Sequence, residues 1–322
     1  MKPLSVVSTR LPPIWLLTGC TASGKTELSL TWAERFGAEI VSCDSLLFYR
    51  GMDIGTAKPT AFERARLPHH LIDLLDPLER MDVKTYAGLA SMAVTEIEAR
   101  GKRVLVVGES GFYLKSFFSA VADDVPVDAA LRAKLERDLQ EDGLDAMVGR
   151  LRGLNAGGLG SLDVRNPRRV LRAMERCLVS GRPLLELTES FRAMSAPFAG
   201  RDLRLVEVVR EPELLRARIQ ARAAAMVAGG LIDEVRGLRE RGLERNPTAA
   251  SAVGYRETLA WLDRPGSASE LIEAIVRSTN RLARKQRTWF RRQLPPHRLV
   301  SADRDDRPSI DKLFDSEEEL SR

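Results

Sequence analysis

The segment that most constrains this chain has the form GxxxxGK[ST] and comprises Gly19, Cys20, Thr21, Ala22, Ser23, Gly24, Lys25 and Thr26. It follows a short apolar run, Ile14 to Thr18, and precedes a helical pattern from Glu27 to Phe36. A phosphate-binding loop requires this strand-to-helix context. The glycines let several backbone N–H groups point into one concavity, and the helix N-terminus adds positive potential there. The segment therefore predicts a site for a diphosphate or a longer phosphate ester, without identifying the ester.

Two side chains of this loop have distinct predicted roles. Lys25 supplies a mobile positive charge to the phosphate oxygens, and the hydroxyl of Thr26 can complete a magnesium shell. We therefore expect Mg²⁺ as the cofactor. Cys20 fits a small loop residue better than a nucleophile, although helix N-termini lower the pKa of thiols.

Three further apolar runs suggest strands of the same sheet: Ala38 to Cys43, Arg103 to Val107 and Leu203 to Val209. Strands that alternate with helical patterns predict a parallel sheet with helices on both faces. We therefore predict an α/β fold, with a P-loop NTPase-like parallel sheet core flanked by helices. The chain from Glu211 to Gln293 is predicted to be mostly helical, and the polar segment from Ser301 onward is expected to be peripheral.

A helical insertion is predicted between the third and the fourth strand, because that stretch contains amphipathic helical patterns and no clear apolar strand. One helix start there is well signalled, since Asn166 can cap it and Pro167 occupies the first helical position. We predict that residues 121–196 form the insertion. Residues 1–120 and 197–322 are expected to form the core with the C-terminal helices.

Composition excludes several classes of protein. Hydrophobic residues make up 44% of the chain and charged residues 30%, which argues against extensive disorder. No apolar run approaches the roughly 20 residues of a membrane-spanning helix, and the segment MKPLSVVSTR lacks the apolar core of a secretory signal. The 3 cysteines have no zinc spacing and fit a reducing compartment. We expect a cytoplasmic protein without membrane association or an obligate protein partner, and its charge of +5 is compatible with a polyanionic ligand.

A carboxylate follows the second predicted strand. Asp44 lies at the carboxyl end of that strand, and ligands of open α/β sheets bind in the crevice outside such strand ends. Its side chain can hold magnesium-bound water, act as a general base, or serve as a turn or helix-capping aspartate. From its position alone, these alternatives stay open.

Seven segments in a fixed order carry a family resemblance: GCTASGKT, DSLLFYRGMDIGTAKP, PHHLIDLLDP, GESGFYL, NPRRVLRAME, AVGYRE and RKQRTWFRR. Together they closely resemble the tRNA dimethylallyltransferases, the bacterial tRNA isopentenyltransferase family. The similarity extends from about Ile14 to Gln293. The phosphate loop alone is unspecific, whereas the long segment that starts at Asp44 and the arginine-rich segment Arg284 to Arg292 make the match specific.

The resemblance implies a transferase reaction. In that family the dimethylallyl group leaves dimethylallyl diphosphate and joins the exocyclic amine of the adenine just 3′ of the anticodon, in tRNAs that read codons beginning with U. The resemblance also implies magnesium and a helical insertion that grips the anticodon stem-loop. We therefore expect dimethylallyl diphosphate and tRNA as the ligands of this chain.

The resemblance assigns catalysis to two residues. Asp44 is similar in position to the family's general base and is expected to take the proton of the adenine amine. Ser110 occupies the threonine position of the family motif GGTGLY, and its hydroxyl is expected to bond the target nucleotide or Asp44. The chain also departs from this motif at Glu109, where the family has glycine, and this adds a charge near the site. Leu47 stands where many members have glutamine, so an apolar contact is expected there.

Further diphosphate contacts are expected from the helix that contains RARIQARAAAM. Arg218 matches a family position that approaches the diphosphate, and arginine suits bidentate phosphate contact. A solvated helix face is the alternative, and Arg222 stays undecided. His69 and His70 have too few other potential metal ligands near them in the sequence for a metal site, so a structural hydrogen-bonding role is expected for them.

Two basic stretches are candidates for tRNA binding. From Arg277 to Arg292 there are basic side chains, two aromatic ones and no acidic ones, a pattern that suits phosphates and unstacked bases. One ring of the pair Trp289 and Phe290 is expected to be buried. The second stretch follows Asn166, and solvated charge is the alternative for both. The expected tRNA contacts are Asp44, Ser45, Leu46, Leu47, Ser110, Arg168, Arg169, Val170, Leu171, Arg172, Arg284, Lys285, Arg287 and Arg291.

Two other functions fit part of the pattern. A small-molecule kinase of the nucleotide-kinase type would use the same loop on ATP and a strand-end aspartate on an acceptor hydroxyl. A non-catalytic, nucleotide-dependent RNA-binding module would need RNA affinity without turnover. The linked motifs outside the loop favour the transferase over both.

Overall fold

The computed structural model describes residues 11–121, 125–126, 128–303 and 309–315. Its strands are β1 Ile14–Thr18, β2 Ala38–Ser42, β3 His69–His70, β4 Arg103–Val107, β5 Leu203–Val209 and β6 Arg298–Ser301. They form one six-stranded sheet in the order β3-β2-β4-β1-β5-β6, and every neighbouring pair is parallel. The predicted α/β architecture, a P-loop NTPase-like parallel sheet with flanking helices, is confirmed.

Two edge strands are absent from the sequence prediction. The apolar runs predict β1, β4 and β5 with their observed bounds, and β2 ends at Ser42, one residue before its predicted end. β3 consists of two histidines, and β6 is a short segment that begins with an arginine. Neither has the continuous apolar run that identifies a strand buried on both faces.

The helices, in chain order, complete the list of elements. They are α1 Lys25–Phe36, α2 Ala61–Arg66, α3 Val83–Ala99, α4 Gly111–Lys115, α5 Ala129–Gly153, α6 Pro167–Ser180, α7 Leu184–Arg192, α8 Pro212–Ala228, α9 Leu231–Glu240, α10 Pro247–Ala250, α11 Tyr255–Asp263 and α12 Ala268–Gln293. Short 3₁₀ turns occur at Leu243–Arg245 and Ile310–Lys312. Among the described residues, no helix is both long and apolar enough to cross a bilayer.

The sheet is apolar on both faces. Ile14 and Leu16 of β1 join the hydrophobic cluster on one face, and Trp15 and Leu17 join the cluster on the other. This follows from the strand geometry, because successive side chains point to opposite sides. The continuous apolar pattern of the central strands therefore indicates burial on both sides, as parallel sheets require.

Two of the C-terminal residues that the structure describes belong to the core, which corrects the expectation of a wholly peripheral segment. Leu313 is fully buried, and the ring of Phe314 lies edge-on to Trp32 of α1 at 5.0 Å between centroids. The polar composition of this segment does not reveal that these two apolar side chains are buried. They pack against the helix that starts at the phosphate loop.

The described chain divides into two compact units. The larger contains the sheet and comprises the residues up to Ser119 together with those from Pro197 onward; the smaller comprises Ala120–Ala196. The smaller unit packs α5, α6 and α7 around its own apolar cluster. As predicted, Asn166 caps α6, with Pro167 as its first residue.

Candidate active site

The carboxyl ends of three adjacent strands form the floor of the candidate site. These strands lie in the order β2-β4-β1 and run parallel. The phosphate loop follows β1, Asp44 follows β2 closely, and Glu109 and Ser110 come just after β4. The parallel topology therefore brings the predicted residues of all three loops to one edge of the sheet.

The phosphate loop turns sharply at Gly19. This residue has a φ of +154°, and a Cβ atom here would lie 2.6 Å from the carbonyl oxygen of Val208 on β5. Glycine is therefore required by both the backbone angle and the close approach. Helix α1 begins at Lys25, two residues before its predicted start, so its first N–H groups belong to the loop. Such free N–H groups at a helix N-terminus bind phosphate.

Side chains from three other elements hold the backbone of this loop. Arg210, which follows β5, donates to the carbonyl oxygen of Ser23 at 3.2 Å. Arg218 of α8 donates to the preceding carbonyl at 3.1 Å, and Oε1 of Gln286 on α12 accepts from the N–H of Thr21 at 3.0 Å. The sequence singles out Arg218 but gives no signal for Arg210 or Gln286, because these contacts join distant parts of the chain.

The lysine of the loop is paired with an acidic side chain. Nζ of Lys25 lies 2.6 Å from Oε2 of Glu109 and 3.3 Å from the carbonyl oxygen of Cys20. Burial acts to raise the pKa of Glu109, but the positive charges of Lys25 and Arg222 outweigh it and hold that pKa below its ordinary value. The charge that the sequence predicts near the site is thus ionised at neutral pH and faces the phosphate loop.

Asp44 is half-buried, and the N–H of Leu46 donates to its carboxylate at 2.9 Å. Removal from water raises the pKa of Asp44 from 3.8 to about 6, and the negative charge of Glu109 acts in the same direction. The bond from Leu46 and the charges of Lys25 and Arg222 oppose this rise. At neutral pH, Asp44 is therefore ionised and is a stronger base than an aspartate in water.

Ser110 is joined to the Asp44 loop through the backbone. Its N–H donates to the carbonyl oxygen of Cys43, the residue before Asp44, at 3.2 Å. Ser110 also precedes the first residue of α4, where its hydroxyl makes no capping hydrogen bond. The three other predicted residues of the Asp44 loop are half-buried: Ser45, Leu46 and Leu47.

The rest of the long segment DSLLFYRGMDIGTAKP is fixed by ion pairs of a buried lysine and by hydrogen bonds to Glu234. Lys58 is buried, and its Nζ lies 2.5 Å from the carboxylate of Asp53 and 2.6 Å from that of Asp73. Glu234 of α9 accepts from the N–H of Asp53 at 3.0 Å and from the hydroxyl of Tyr255 at 2.6 Å. Lys58 and Tyr255, which belong to two of the family motifs, therefore help to fix the conformation of the loop that follows β2.

A small cavity of about 70 Å³ is lined by Thr21 of the phosphate loop and by Asp44. Its polar wall includes Thr21, Asp44, Glu109 and Arg222. The sequence leaves Arg222 undecided, and the structure places it in this wall. The remaining wall is mostly apolar and includes Leu46, Ile219, Ala223, Met226, Val253, Ile275 and Leu282.

The C-terminal part of α12 has one buried and one exposed face. Phe290 is fully buried, which confirms that one ring of the aromatic pair is buried, and Trp289 packs against Gly111 of α4. Three arginines of this helix, together with Glu207 and His297, line a larger cavity of about 650 Å³. The side chains predicted to bind RNA are exposed: Arg284, Lys285, Arg287 and Arg291.

The predicted RNA-binding stretch of α6 also contains both exposed and buried side chains. Arg168 and Arg169 are exposed, whereas Arg172 lies 2.6 Å from the buried carboxylate of Glu175. Val170 is fully buried in the core of the smaller unit, so its side chain does not reach the surface. This corrects the expected contact between that side chain and tRNA. The half-buried residue Leu171 packs against the same core.

The two neighbouring histidines have the structural role expected of them. Nδ1 of His69 lies 2.8 Å from the carbonyl oxygen of Leu67, and Nε2 of His70 lies 2.7 Å from the carboxylate of Glu39. Within the described ranges, no three His, Cys, Asp or Glu side chains come together as a metal cage. The exposed hydroxyl of Thr26 fits a magnesium ion that takes its other ligands from phosphate oxygens and water.

Comparisons with known proteins agree over nearly the whole chain. A family model described as IPP transferase matches residues 47–293. A tRNA dimethylallyltransferase from Opitutus terrae is 56% identical over 299 residues, which are 93% of this chain and 96% of that protein. Another from Geobacter metallireducens is 40% identical over 277 residues, 86% of this chain and 89% of that protein.

Solved structures of two related proteins share the fold. The full-length tRNA isopentenylpyrophosphate transferase from Bacillus halodurans is 33% identical, with a TM-score of 0.65 over 94% of each chain. A eukaryotic dimethylallyltransferase that was crystallised acting on tRNA has a TM-score of 0.77 at 23% identity, over 90% of this chain and 74% of that one.

Proposed function

This chain belongs to the IPP transferase family of tRNA dimethylallyltransferases, and we propose that it transfers the dimethylallyl group of dimethylallyl diphosphate to an adenine of tRNA. It is a prenyl-transferring enzyme. In keeping with the family resemblance, the acceptor is the exocyclic amine of the adenine 3′ of the anticodon in tRNAs that read codons beginning with U. We place the reaction in the cytoplasm, where this RNA is available.

One observation carries the proposal: a single cavity is lined by Thr21 of the phosphate loop, by Asp44 and by apolar side chains. The reaction needs a place for a diphosphate, a base for an amine proton and an apolar slot for five carbons. Burial of those five carbons can contribute about 3–4 kcal/mol to donor binding. The apolar wall of this cavity supports a prenyl donor better than a nucleoside triphosphate.

The diphosphate of the donor is assigned to the loop from Gly19 to Thr26. Backbone N–H groups at the start of α1 and the ammonium of Lys25 supply the positive potential that stabilises its charge. Arg218 lies against the same loop and is exposed, which supports a phosphate contact from its remaining N–H groups.

Asp44 is assigned as the general base. The bond between the first carbon of the dimethylallyl group and the diphosphate oxygen breaks, and the diphosphate leaves with the electron pair. The adenine nitrogen forms the new bond to that carbon and gives up a proton, which Asp44 accepts. The raised pKa of Asp44, about 6, supports this role because it makes the carboxylate a better proton acceptor near neutral pH.

A magnesium ion is proposed as the cofactor at Thr26. The hydroxyl of this residue would supply one oxygen ligand, and phosphate oxygens and water would supply the rest. When bound, the ion neutralises part of the negative charge on the leaving diphosphate.

Two basic surfaces are assigned to tRNA. On α12 the exposed side chains of Arg284, Lys285, Arg287 and Arg291 can contact phosphates, and on α6 those of Arg168 and Arg169 can do so. The target adenine must leave its stack to reach Asp44, at a cost of a few kcal/mol. Contacts with the RNA backbone have to offset that cost.

The test uses tRNA that lacks the modification, together with dimethylallyl diphosphate and magnesium. We expect mass spectrometry of the digested RNA to show a gain of one five-carbon unit on an adenine. Parallel reactions contain ATP with a small acceptor in place of the donor and the tRNA. Phosphorylation of the acceptor with no change in the RNA would overturn the proposal in favour of a kinase.

A further inference from the structure

The acidic residue next to the phosphate loop contributes to the raised pKa of Asp44, but the reaction described above assigns it no contact with a substrate. We propose that Glu109 is a positioning residue that competes with the diphosphate for the ammonium group of Lys25, and so weakens the hold of the site on the pyrophosphate product. This inference rests on the proposed function, because it assumes that the loop binds the donor's diphosphate.

The geometry of Lys25 is the first argument. Its ammonium group has three N–H donors, and two of them already have acceptors, the carboxylate of Glu109 at 2.6 Å and the carbonyl oxygen of Cys20 at 3.3 Å. A phosphate oxygen can therefore take the third donor or displace Glu109. In both cases the negative charge of the ligand comes close to that of Glu109.

The charge state of Glu109 is the second argument. The positive charges of Lys25 and Arg222 outweigh the effect of burial and keep this carboxyl ionised at neutral pH. Its side chain is 19% exposed and that of Lys25 is 11% exposed, so solvent screens their interaction less than it screens a surface pair. A full negative charge is thus retained beside the loop when a ligand enters.

The anchoring of Glu109 is the third argument. Gln286 of α12 bonds the N–H of Thr21 in the phosphate loop at 3.0 Å, and its side-chain nitrogen lies 3.5 Å from the carbonyl oxygen of Glu109. The segment that carries Glu109 is also tied to β2, since the N–H of Ser110 donates to the carbonyl oxygen of Cys43. These bonds hold the backbone of Glu109 at the loop, so its carboxylate stays within reach of the phosphate site.

The direction of the effect follows from the change in ligand charge. Bond cleavage converts the ester oxygen of the donor into a terminal oxygen, so the product pyrophosphate carries more negative charge than the diphosphate group of the donor. A fixed carboxylate opposes the product more strongly than the donor. Glu109 therefore favours release of pyrophosphate after transfer.

The first experiment measures binding and needs no turnover. Isothermal titration with inorganic pyrophosphate, in the absence of magnesium, compares the wild-type chain with Glu109→Gln, which removes the charge and keeps the size. We expect the variant to bind pyrophosphate about tenfold more tightly, the scale on which one close charge alters a neighbouring equilibrium. The matched control is Glu273→Gln, which removes the acidic partner of Arg277 in an exposed ion pair on α12 and should leave the affinity unchanged.

The second experiment measures turnover. With excess donor and tRNA, Glu109→Gln should produce a burst of modified tRNA followed by a steady-state rate several-fold below that of the wild type, because product release becomes slower. Thermal unfolding of each variant checks that it folds. Glu109→Ala, which removes the same charge without adding an amide, should change pyrophosphate affinity in the same direction.

The outcomes separate this inference from the proposed function. Equal or weaker binding of pyrophosphate by both Glu109 variants would overturn the inference and leave the proposed function intact. A wild-type chain that fails to bind pyrophosphate, or whose binding is unaffected by Lys25→Ala, would contradict the assignment of the phosphate loop itself.

Discussion

Asp44 combines two properties that usually exclude each other in an aspartate. It is ionised at neutral pH, and its pKa of about 6 makes it a useful proton acceptor. The first cause is removal from water, and the second is the nearby charge of Glu109. The neighbouring cations Lys25 and Arg222 limit the rise in pKa, so the carboxylate is not protonated at neutral pH.

The role of Asp44 as a base predicts a large loss of rate on its removal. Asp44→Ala should lower the single-turnover rate with bound tRNA by about 10²–10⁴, the usual contribution of a positioned general base. Rapid quenching and digestion of the RNA measure this rate. A rate within about tenfold of the wild type would remove Asp44 from that role. Glu273→Gln, at an exposed ion pair of α12, serves as the control.

The same raised pKa predicts a cost in stability. Because the pKa is higher in the folded state, about 6 against 3.8, folding holds the Asp44 proton more tightly and the folded state loses stability as pH rises through this range. Asp44→Asn should therefore stabilise the protein by up to about 3 kcal/mol near pH 8, and by about 2 kcal/mol less near pH 4.5. Urea unfolding at the two pH values measures this difference.

If the difference in unfolding free energy between Asp44→Asn and the wild type does not increase with pH, the carboxylate of Asp44 is not destabilised in the folded state. The substitution keeps an oxygen that can accept the N–H of Leu46, so loss of that hydrogen bond does not confuse the comparison.

At the residue level, the sequence predicts what a contiguous motif contains. The loop from Gly19 to Thr26 and Asp44 can be identified because their neighbours along the chain define their context. The ion pair between Lys25 and Glu109 joins residues 84 positions apart, and the contact of Thr21 with Gln286 joins residues 265 apart. No local pattern encodes such pairs, so the sequence predicts a charge at Glu109 but not its partner.

At the level of elements, the loop that follows β2 is shaped by the helices behind it. Glu234 of α9 accepts from the N–H groups of Asp53 and of the two residues after it. The hydroxyl of Tyr255 on α11 donates to the same carboxylate. Burial raises the pKa of the Tyr255 hydroxyl far above its ordinary value, so the hydroxyl remains a donor. The loop that contains Asp44 is thereby fixed at its far end.

The contact between this loop and α11 predicts a specific steric effect. A Cβ atom on Gly55 would lie 2.5 Å from the ring of Tyr255, which is fully buried and whose hydroxyl is bonded to Glu234. Gly55→Ala should therefore destabilise the protein by about 1–3 kcal/mol, as overpacking does. Chemical denaturation measures the change, and transfer activity should fall with it.

Gly88 offers the matched control for that substitution. It lies in α3, has nothing within 4 Å of its added Cβ and does not have a left-handed φ. Gly88→Ala should leave the protein unchanged or more stable by roughly 1 kcal/mol, since alanine is the better helix former. Equal effects of the two substitutions would contradict the steric argument.

The elements that were predictable share one physical property. β1, β4 and β5 are buried on both faces, so their apolar runs are continuous and visible in the sequence. β3 and β6 form the edges of the sheet and are short and partly polar. Their pairing depends on a neighbouring strand, which local sequence does not reveal.

At the scale of the whole molecule, the net positive charge is small and the basic side chains are unevenly distributed. The formal charge is only +5. On α12, however, the side chains of Arg284, Arg287 and Arg291 are exposed and line one cavity. Local concentration of charge on one helix therefore accounts for a polyanion site better than the net charge does.

This distribution predicts that tRNA binding weakens steeply as salt increases. Each phosphate contact contributes about 0.7–0.9 to the slope of log K against log salt, so Arg287→Ala should reduce the slope by about that amount. Filter binding at several salt concentrations measures it. Arg277 is the control on the same helix, because it is paired with Glu273 and lies outside the cavity. An unchanged slope for Arg287→Ala would exclude a phosphate contact at this residue.

In the proposed function, helix α12 contributes to the binding of two ligands. Through Gln286 it bonds the amide of Thr21 in the donor loop, and its neighbouring arginines are exposed for RNA. An element common to two binding sites links their affinities, and thermodynamic reciprocity fixes the size of the effect in both directions. If bound tRNA shifts α12 and alters donor affinity by some factor, the donor must alter tRNA affinity by the same factor, so the strength of the coupling between the two substrates would depend on this one helix.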